Sequence, residues 1–193
     1  EEAPLVAKKS SVIPMNVQTP KCIVGVKSGF TGEKGNEMLK TELTIQLLLD
    51  MLFSQSSVNY RDLYDEGIID DTFSYDYTQE QSFGFALIGG DTQTPDLLAN
   101  RIKAILQKAA SGENLSEESL ERVKKRRIGT FLRSLNSPEF IANQFTRYKF
   151  NEMNLFKAVP VLETISFKDV KAKARDFIKE EAITYCQVVP KNT

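Results

Sequence analysis

The chain has 193 residues, of which 41% are hydrophobic and 26% charged, enough for one domain with a sizeable core and unlike a disordered or membrane-spanning composition. A net charge of −1 and a pI near 5.7 provide no general positive field, so neither nucleic acid nor an anionic membrane is an expected partner. Histidine is absent altogether, which excludes Ser-His-Asp and Cys-His catalysis and every His-containing zinc site. No apolar run approaches the roughly 20 residues that span a bilayer. Residues 1–20 carry two acids, two lysines and three prolines instead of a leader pattern, so the expected location is the cytoplasm.

Residues 1–11 (EEAPLVAKKSS) read as an arm or linker, and 12–193 as a single α+β domain. Strands are expected at Ser11–Val17 and Cys22–Phe30, separated by Pro20. A loop with Gly29, Gly32 and Gly35 then leads into a helix over 36–54. Along it Glu42, Gln46, Asp50 and Ser54 recur every fourth position while most of the remainder is apolar. So narrow a polar stripe predicts a helix buried on more than one side, against the sheet and beneath other helices or a second domain. A shorter helix, Val58–Glu66, ends at Gly67, suited to a left-handed C-cap. Phe73, Tyr75 and Tyr77, then Phe83, Phe85 and Leu87, alternate with small or polar residues and predict a hairpin with one aromatic face.

Thr94 and Pro95 open the next helix, with Leu98, Ile102, Ile105, Leu106 and Ala109 as its buried stripe and Gly112 past its end. Ser116 caps a long helix carrying Leu120, Val123, Phe131, Leu132 and Leu135, and Ser137-Pro138 restarts another through Ile141, Phe145 and Tyr148. Ser166 and Asp169 form a capping box for a last helix burying Val170, Ala174, Phe177 and Ile178, and Ala182–Val189 is a final strand. Runs of one element type predict a mostly antiparallel sheet with helices packed on one face.

Three clusters are candidate sites. The glycines at 29, 32 and 35 lie where phosphate loops lie, but their spacing fits no nucleotide motif, and a plain strand-to-helix connection explains them. Asp62, Asp65, Glu66, Asp70 and Asp71 carry charge enough for a hard cation in an order that matches no EF-hand; a solvated helix end is the preferred reading. Asp65 and Glu66 nevertheless sit at the unfavourable end of the helix dipole. Lys124-Lys-Arg-Arg127 lies within a helical pattern and reads as a solvated face rather than a nucleic-acid patch. Cys22 and Cys186 are expected in strands as buried thiols, a disulfide between them being the lesser alternative.

The stretch Ser57-Val-Asn-Tyr-Arg-Asp-Leu-Tyr-Asp-Glu-Gly-Ile-Ile-Asp-Asp-Thr-Phe73, following a long apolar helix and leading into an aromatic hairpin, resembles the C-terminal, non-catalytic domain of M16 (pitrilysin/insulinase-type) zinc metallopeptidases. It looks closest to their bacterial YmfH-like branch, and element order extends the similarity over nearly the whole chain. Members pair two similar α+β domains into a chamber; the first carries His-x-x-Glu-His plus a distal Glu, and the second closes over the peptide. A chain without histidine resembles only the second. The resemblance therefore implies no catalytic or metal residue here, zinc in an N-terminal half, and two partners: that half, covalent or a paralogous subunit, and a peptide. A proteolytically inactive scaffold is the alternative.

Many members also place an Arg and a Tyr seven positions apart around a glycine. Aligned on Gly67 these places fall on Leu63 and Asp70, so the substrate-binding residues are unknown. Two expectations follow from the resemblance: helix 36–54 packs against a sister domain, and peptide adds to an exposed sheet edge.

Overall fold

The computed structural model describes residues 5–29 and 32–191. The expected strand end at Phe30 and the first four residues of the arm lie outside them. Among the described residues five strands, β1 (Ser10–Met15), β2 (Lys21–Ser28), β3 (Ser74–Gln79), β4 (Gly84–Asp91) and β5 (Ile183–Pro190), form one sheet in the order β1-β5-β2-β4-β3. Of the pairings among the described residues, β1–β5 is parallel and the other three are antiparallel. Seven α-helices accompany it among the described residues: α1 (Gly35–Phe53), α2 (Val58–Asp65), α3 (Pro95–Ala110), α4 (Glu117–Ser134), α5 (Pro138–Phe150), α6 (Ala158–Thr164) and α7 (Phe167–Phe177). The α+β class and the mostly antiparallel sheet are as the sequence predicts.

Pleating sends alternate side chains to opposite faces. Cys22, Val24, Val26, Ala86 and Ile88 are fully buried on the helix side, with Tyr77 beside them. Their neighbours in sequence, Phe85 and Leu87, stand on the outer face. The register pairs Tyr77 with Ala86 and Tyr75 with Ile88, while Phe85 lies opposite Thr78 and Leu87 opposite Asp76. The expected single aromatic face is therefore wrong: the two strands send their aromatic sets to opposite sides. Alternation within each strand was read correctly, but one step of register decides which sets share a face.

Helix α1 is the axis of the core, with 14 of its 19 residues buried. It touches α2, α3, α4, α6, α7 and β3, so its cover comes from this chain's own elements. Of the two covers expected, other helices or a second domain, the helices account for the burial. Local stop and start signals work as read. Gly67 takes φ +67° after α2, Ser116 accepts from Ser119 N–H at the start of α4, and Ser166 and Asp169 make the reciprocal capping box of α7. Thr94 precedes α3 without a side-chain cap bond.

The second halves of α4 and the body of α5 pack less closely than their sequences suggest. Leu132 and Phe145 are 53% and 47% exposed, and Phe131 and Ile141 are only partly buried. Beneath this helical pair lies a cleft.

Candidate functional site

The cleft has a volume of ≈730 Å³ and lies between α1, β3 and the α4–α5 pair. That is within the size range of ligand-binding pockets. Its floor is the polar stripe of α1, held by arginines from the opposite wall. Arg127 donates Nε to Asp50 Oδ2 at 2.9 Å and Nη1 to Gln46 Oε1 at 2.8 Å. Arg126 reaches the other Asp50 oxygen at 3.3 Å, and the Tyr75 hydroxyl donates to that same oxygen at 2.8 Å. Arg147 makes a bidentate pair with Glu42 at 3.1 and 2.8 Å and also donates to the Gln79 carbonyl at 3.2 Å. Burial pushes the Glu42 carboxyl above its usual range, with Arg147 opposing. Burial likewise raises the Tyr77 and Tyr148 phenols to about 12, so both stay protonated donors.

This arrangement corrects the reading of Lys124–Arg127 as a solvated face. Lys125 is exposed, but Lys124 is buried and donates to the carbonyls of Glu163 and Ile165, which leave the end of α6. Arg126 and Arg127 neutralise Asp50, which is buried. A buried acid requires a counter-charge, and the basic run supplies it.

The acidic cluster disperses along the surface. Glu66 forms a two-bond pair with Arg101 at 2.6 and 2.8 Å, and this bonding holds its carboxyl below the usual range. Asp70 accepts from the Thr72 amide and hydroxyl, a local turn that lowers its carboxyl in the same way. Among the described residues no three His, Cys, Asp or Glu side chains converge as a metal group. Leu63 is wholly buried in the core, whereas Asp70 is exposed. In the glycine loop the Gly35 amide, a donor that a phosphate would need, is engaged by the Asn151 carbonyl at 3.1 Å.

Cys22 points into the core and lies opposite Gln187, while Cys186 lies opposite Ile23 and so points to the other face. The two thiols are free and on opposite sides of the sheet, which rules out the bridge between them. Burial raises the Cys22 thiol to about 11. A thiol reagent under native conditions is expected to label Cys186 rapidly and Cys22 only on unfolding. Mass spectrometry after alkylation checks this, and equal labelling of both would contradict the placement.

The sheet's outer face is the second candidate surface. Ile13, Phe83, Phe85 and Leu87 are 43%, 37%, 36% and 45% exposed, and the Phe83 and Phe85 rings stack at 6.1 Å. Among the described residues no helix covers it.

A five-stranded, mostly antiparallel sheet wrapped on one side by helices around a buried first helix is the fold of M16-like peptidase domains. No family model matches the chain. It is 50% identical over 192 residues to the uncharacterised zinc protease YmfH of Bacillus subtilis, covering all of this chain and 44% of that protein. An M16-like peptidase from Alicyclobacillus acidocaldarius superposes with a TM-score of 0.91 at 29% identity, over 98% of this chain and 45% of the other. The inactive peptidase domain of a zinc protease from Bordetella parapertussis shares the fold, with a TM-score of 0.72 at 16% identity over 93% and 97% of the two chains. The chain has the fold of an M16-like peptidase domain and is similar in sequence to YmfH, and it spans a little under half the length of the first two relatives.

Zinc, which the family implies, does not fit the residues present here. The first long helix offers Gln46, Leu49 and Asp50 at positions i, i+3 and i+4, and the guanidinium of Arg127 already bridges the two oxygen-bearing side chains. A fixed cation already sits between these two side chains, and no imidazole is available.

Proposed function

We propose that this chain is the non-catalytic, substrate-enclosing half of a zinc peptidase, and that hydrolysis requires a zinc-bearing half outside this sequence. The observation that carries the reading is the guanidinium of Arg127 seated between Gln46 and Asp50. It supports a domain of peptidase fold whose equivalent of the metal site has become a structural ion pair. In the joined enzyme, zinc would polarise the peptide carbonyl and activate water; this chain's residues enclose and orient the peptide and limit access of bulk water. Residues 12–193, joined by Ser10 and Ser11 as the start of β1, are the closing unit, the rest of the 1–11 segment the connecting arm, and the cytoplasm its location. The bare outer face of the sheet, on which Phe85 and Leu87 stand exposed, would form a wall of the chamber, and a free strand edge a place for main-chain pairing with peptide.

Reconstitution tests this. The chain alone is expected to bind no stoichiometric zinc and to leave peptides uncut, whereas the complete protein cleaves them in a chelator-sensitive way. In the complete protein, Phe85→Asp with Leu87→Asp should lower kcat/KM while zinc content stays at that of the unsubstituted protein. Zinc-dependent hydrolysis by the chain alone would refute the proposal.

A further inference from the structure

Strand β3 is an edge of the sheet, and its unpaired side faces the cleft. The Glu80 amide donates to the Phe83 carbonyl at 2.8 Å to close the β3–β4 turn. Antiparallel alternation then makes Thr78–Phe85 and Asp76–Leu87 the hydrogen-bonded pairs and turns the backbone groups of Tyr75, Tyr77 and Gln79 away from β4. The bond from Arg147 to the Gln79 carbonyl agrees with that direction. Among the described residues no other strand lies on this side. Such an edge is a template for an added strand.

Charge along the cleft is uneven. At one end Asp50 is shared by two guanidiniums, Arg126 and Arg127, leaving one positive charge in excess. At the other, Glu42 and Glu80 share Arg147. Arg127 and Arg147 are held by at least two bonds each, whereas Arg126 meets Asp50 at 3.3 Å beside the Tyr75 hydroxyl and keeps a side chain 44% exposed. A guanidinium has five donor hydrogens, so Arg126 retains donors directed at whatever enters.

We propose that the cleft binds an extended acidic peptide segment as a sixth strand on β3, with a peptide carboxylate taken by Arg126. This rests on the reading of the chain as a peptide-enclosing half and names the class of peptide it prefers. Main-chain pairing with Tyr75 and Tyr77 supplies sequence-tolerant affinity, and Arg126 supplies the selectivity. At the acidic end both carboxylates are already engaged, Glu42 by two bonds from Arg147 and Glu80 by Asn151 at 2.9 Å and Arg147 at 3.5 Å, so a basic side chain is held there less firmly than a carboxylate at Arg126.

The test uses fluorescein-labelled extended peptides identical except for Glu, Gln or Lys at central positions, titrated into the 193-residue chain by anisotropy. The Glu peptide is expected to bind about tenfold more tightly than the Gln peptide, the scale of one charge-assisted hydrogen bond. Arg126→Gln should abolish that difference without changing circular dichroism or Tm, and Arg126→Glu should transfer the preference to the Lys peptide. N-methylation of alternate peptide amides in the register that faces β3 should abolish binding. Equal binding of Glu and Gln peptides, an unchanged preference in Arg126→Gln, or no binding at all would overturn the proposal. Chelator-sensitive hydrolysis by the complete protein, assayed in parallel, separates the two ideas. If it persists without a Glu preference, the acidic cleft fails and the closing-half reading stands; if the chain cuts peptides alone, the closing-half reading fails independently of the preference.

Discussion

Arg147→Ala is expected to destabilise the fold by about 3 kcal/mol, the low end of the cost of leaving one partner of a buried ion pair uncompensated. The low end applies because Arg147 is itself 28% exposed, while Glu42 is 2% exposed and is the group left stranded. Replacing both partners, as Glu42→Gln with Arg147→Met, should cost much less, since no buried charge remains. The pH dependence carries the same signature. Burial already raises the Glu42 carboxyl in the folded chain, and removing Arg147 takes away the chief opposing influence. A carboxyl whose folded pKa lies above its unfolded value binds more protons in the native state between the two, so stability falls as pH rises through that window and recovers toward acid. Urea denaturation of Arg147→Ala at pH 5 and 7 should therefore show the smaller deficit at pH 5. A pH-independent deficit would mean that lost packing of the arginine stem, not a stranded carboxylate, is the cause.

Features set by neighbours in sequence were legible from the residues alone. The capping box of Ser166 and Asp169, the cap at Ser116 and the left-handed turn at Gly67 involve partners within a few positions. So was the polar stripe of α1, because helical period alone aligns Glu42, Gln46, Asp50 and Ser54. What covers that stripe was not legible. Asp50 meets Arg127 across 77 positions and Glu42 meets Arg147 across 105, so a buried acid and its distant counter-charge read separately as a stripe and a solvated run. The hairpin failed for a related reason. Tyr77 and Phe85 both alternate faithfully, but the tight turn at 80–83 decides that Tyr77 meets Ala86. The cleft, which is made from both errors, had no local signal beyond an unexplained pairing of acids on one helix with bases on two others.

The second large effect concerns the middle of the sheet. A β-carbon at Gly89 would lie 1.9 Å from the Cys22 carbonyl oxygen and 2.9 Å from the Ile23 Cα, both main-chain atoms of β2. Neither can yield without opening the β2–β4 ladder, in which Gly89 lies opposite Ile23. Gly89→Ala is therefore expected to cost about 3 kcal/mol or more, at or beyond the usual range for overpacking. Gly129 is the useful contrast. It sits on the exposed side of α4, where an added β-carbon meets nothing within 4 Å. There alanine relieves the entropic cost of a helical glycine and should stabilise by about 0.5–1 kcal/mol. Thermal unfolding of the two variants should move in opposite directions. The consequence reaches the cleft, because Gly129 belongs to the stretch of α4 whose Arg126, Thr130, Phe131 and Ser134 form its wall. If that wall must flex to admit a strand beside β3, Gly129→Ala will raise Tm and slow peptide association together; if the wall is already open, Tm will rise and the association rate will stay unchanged.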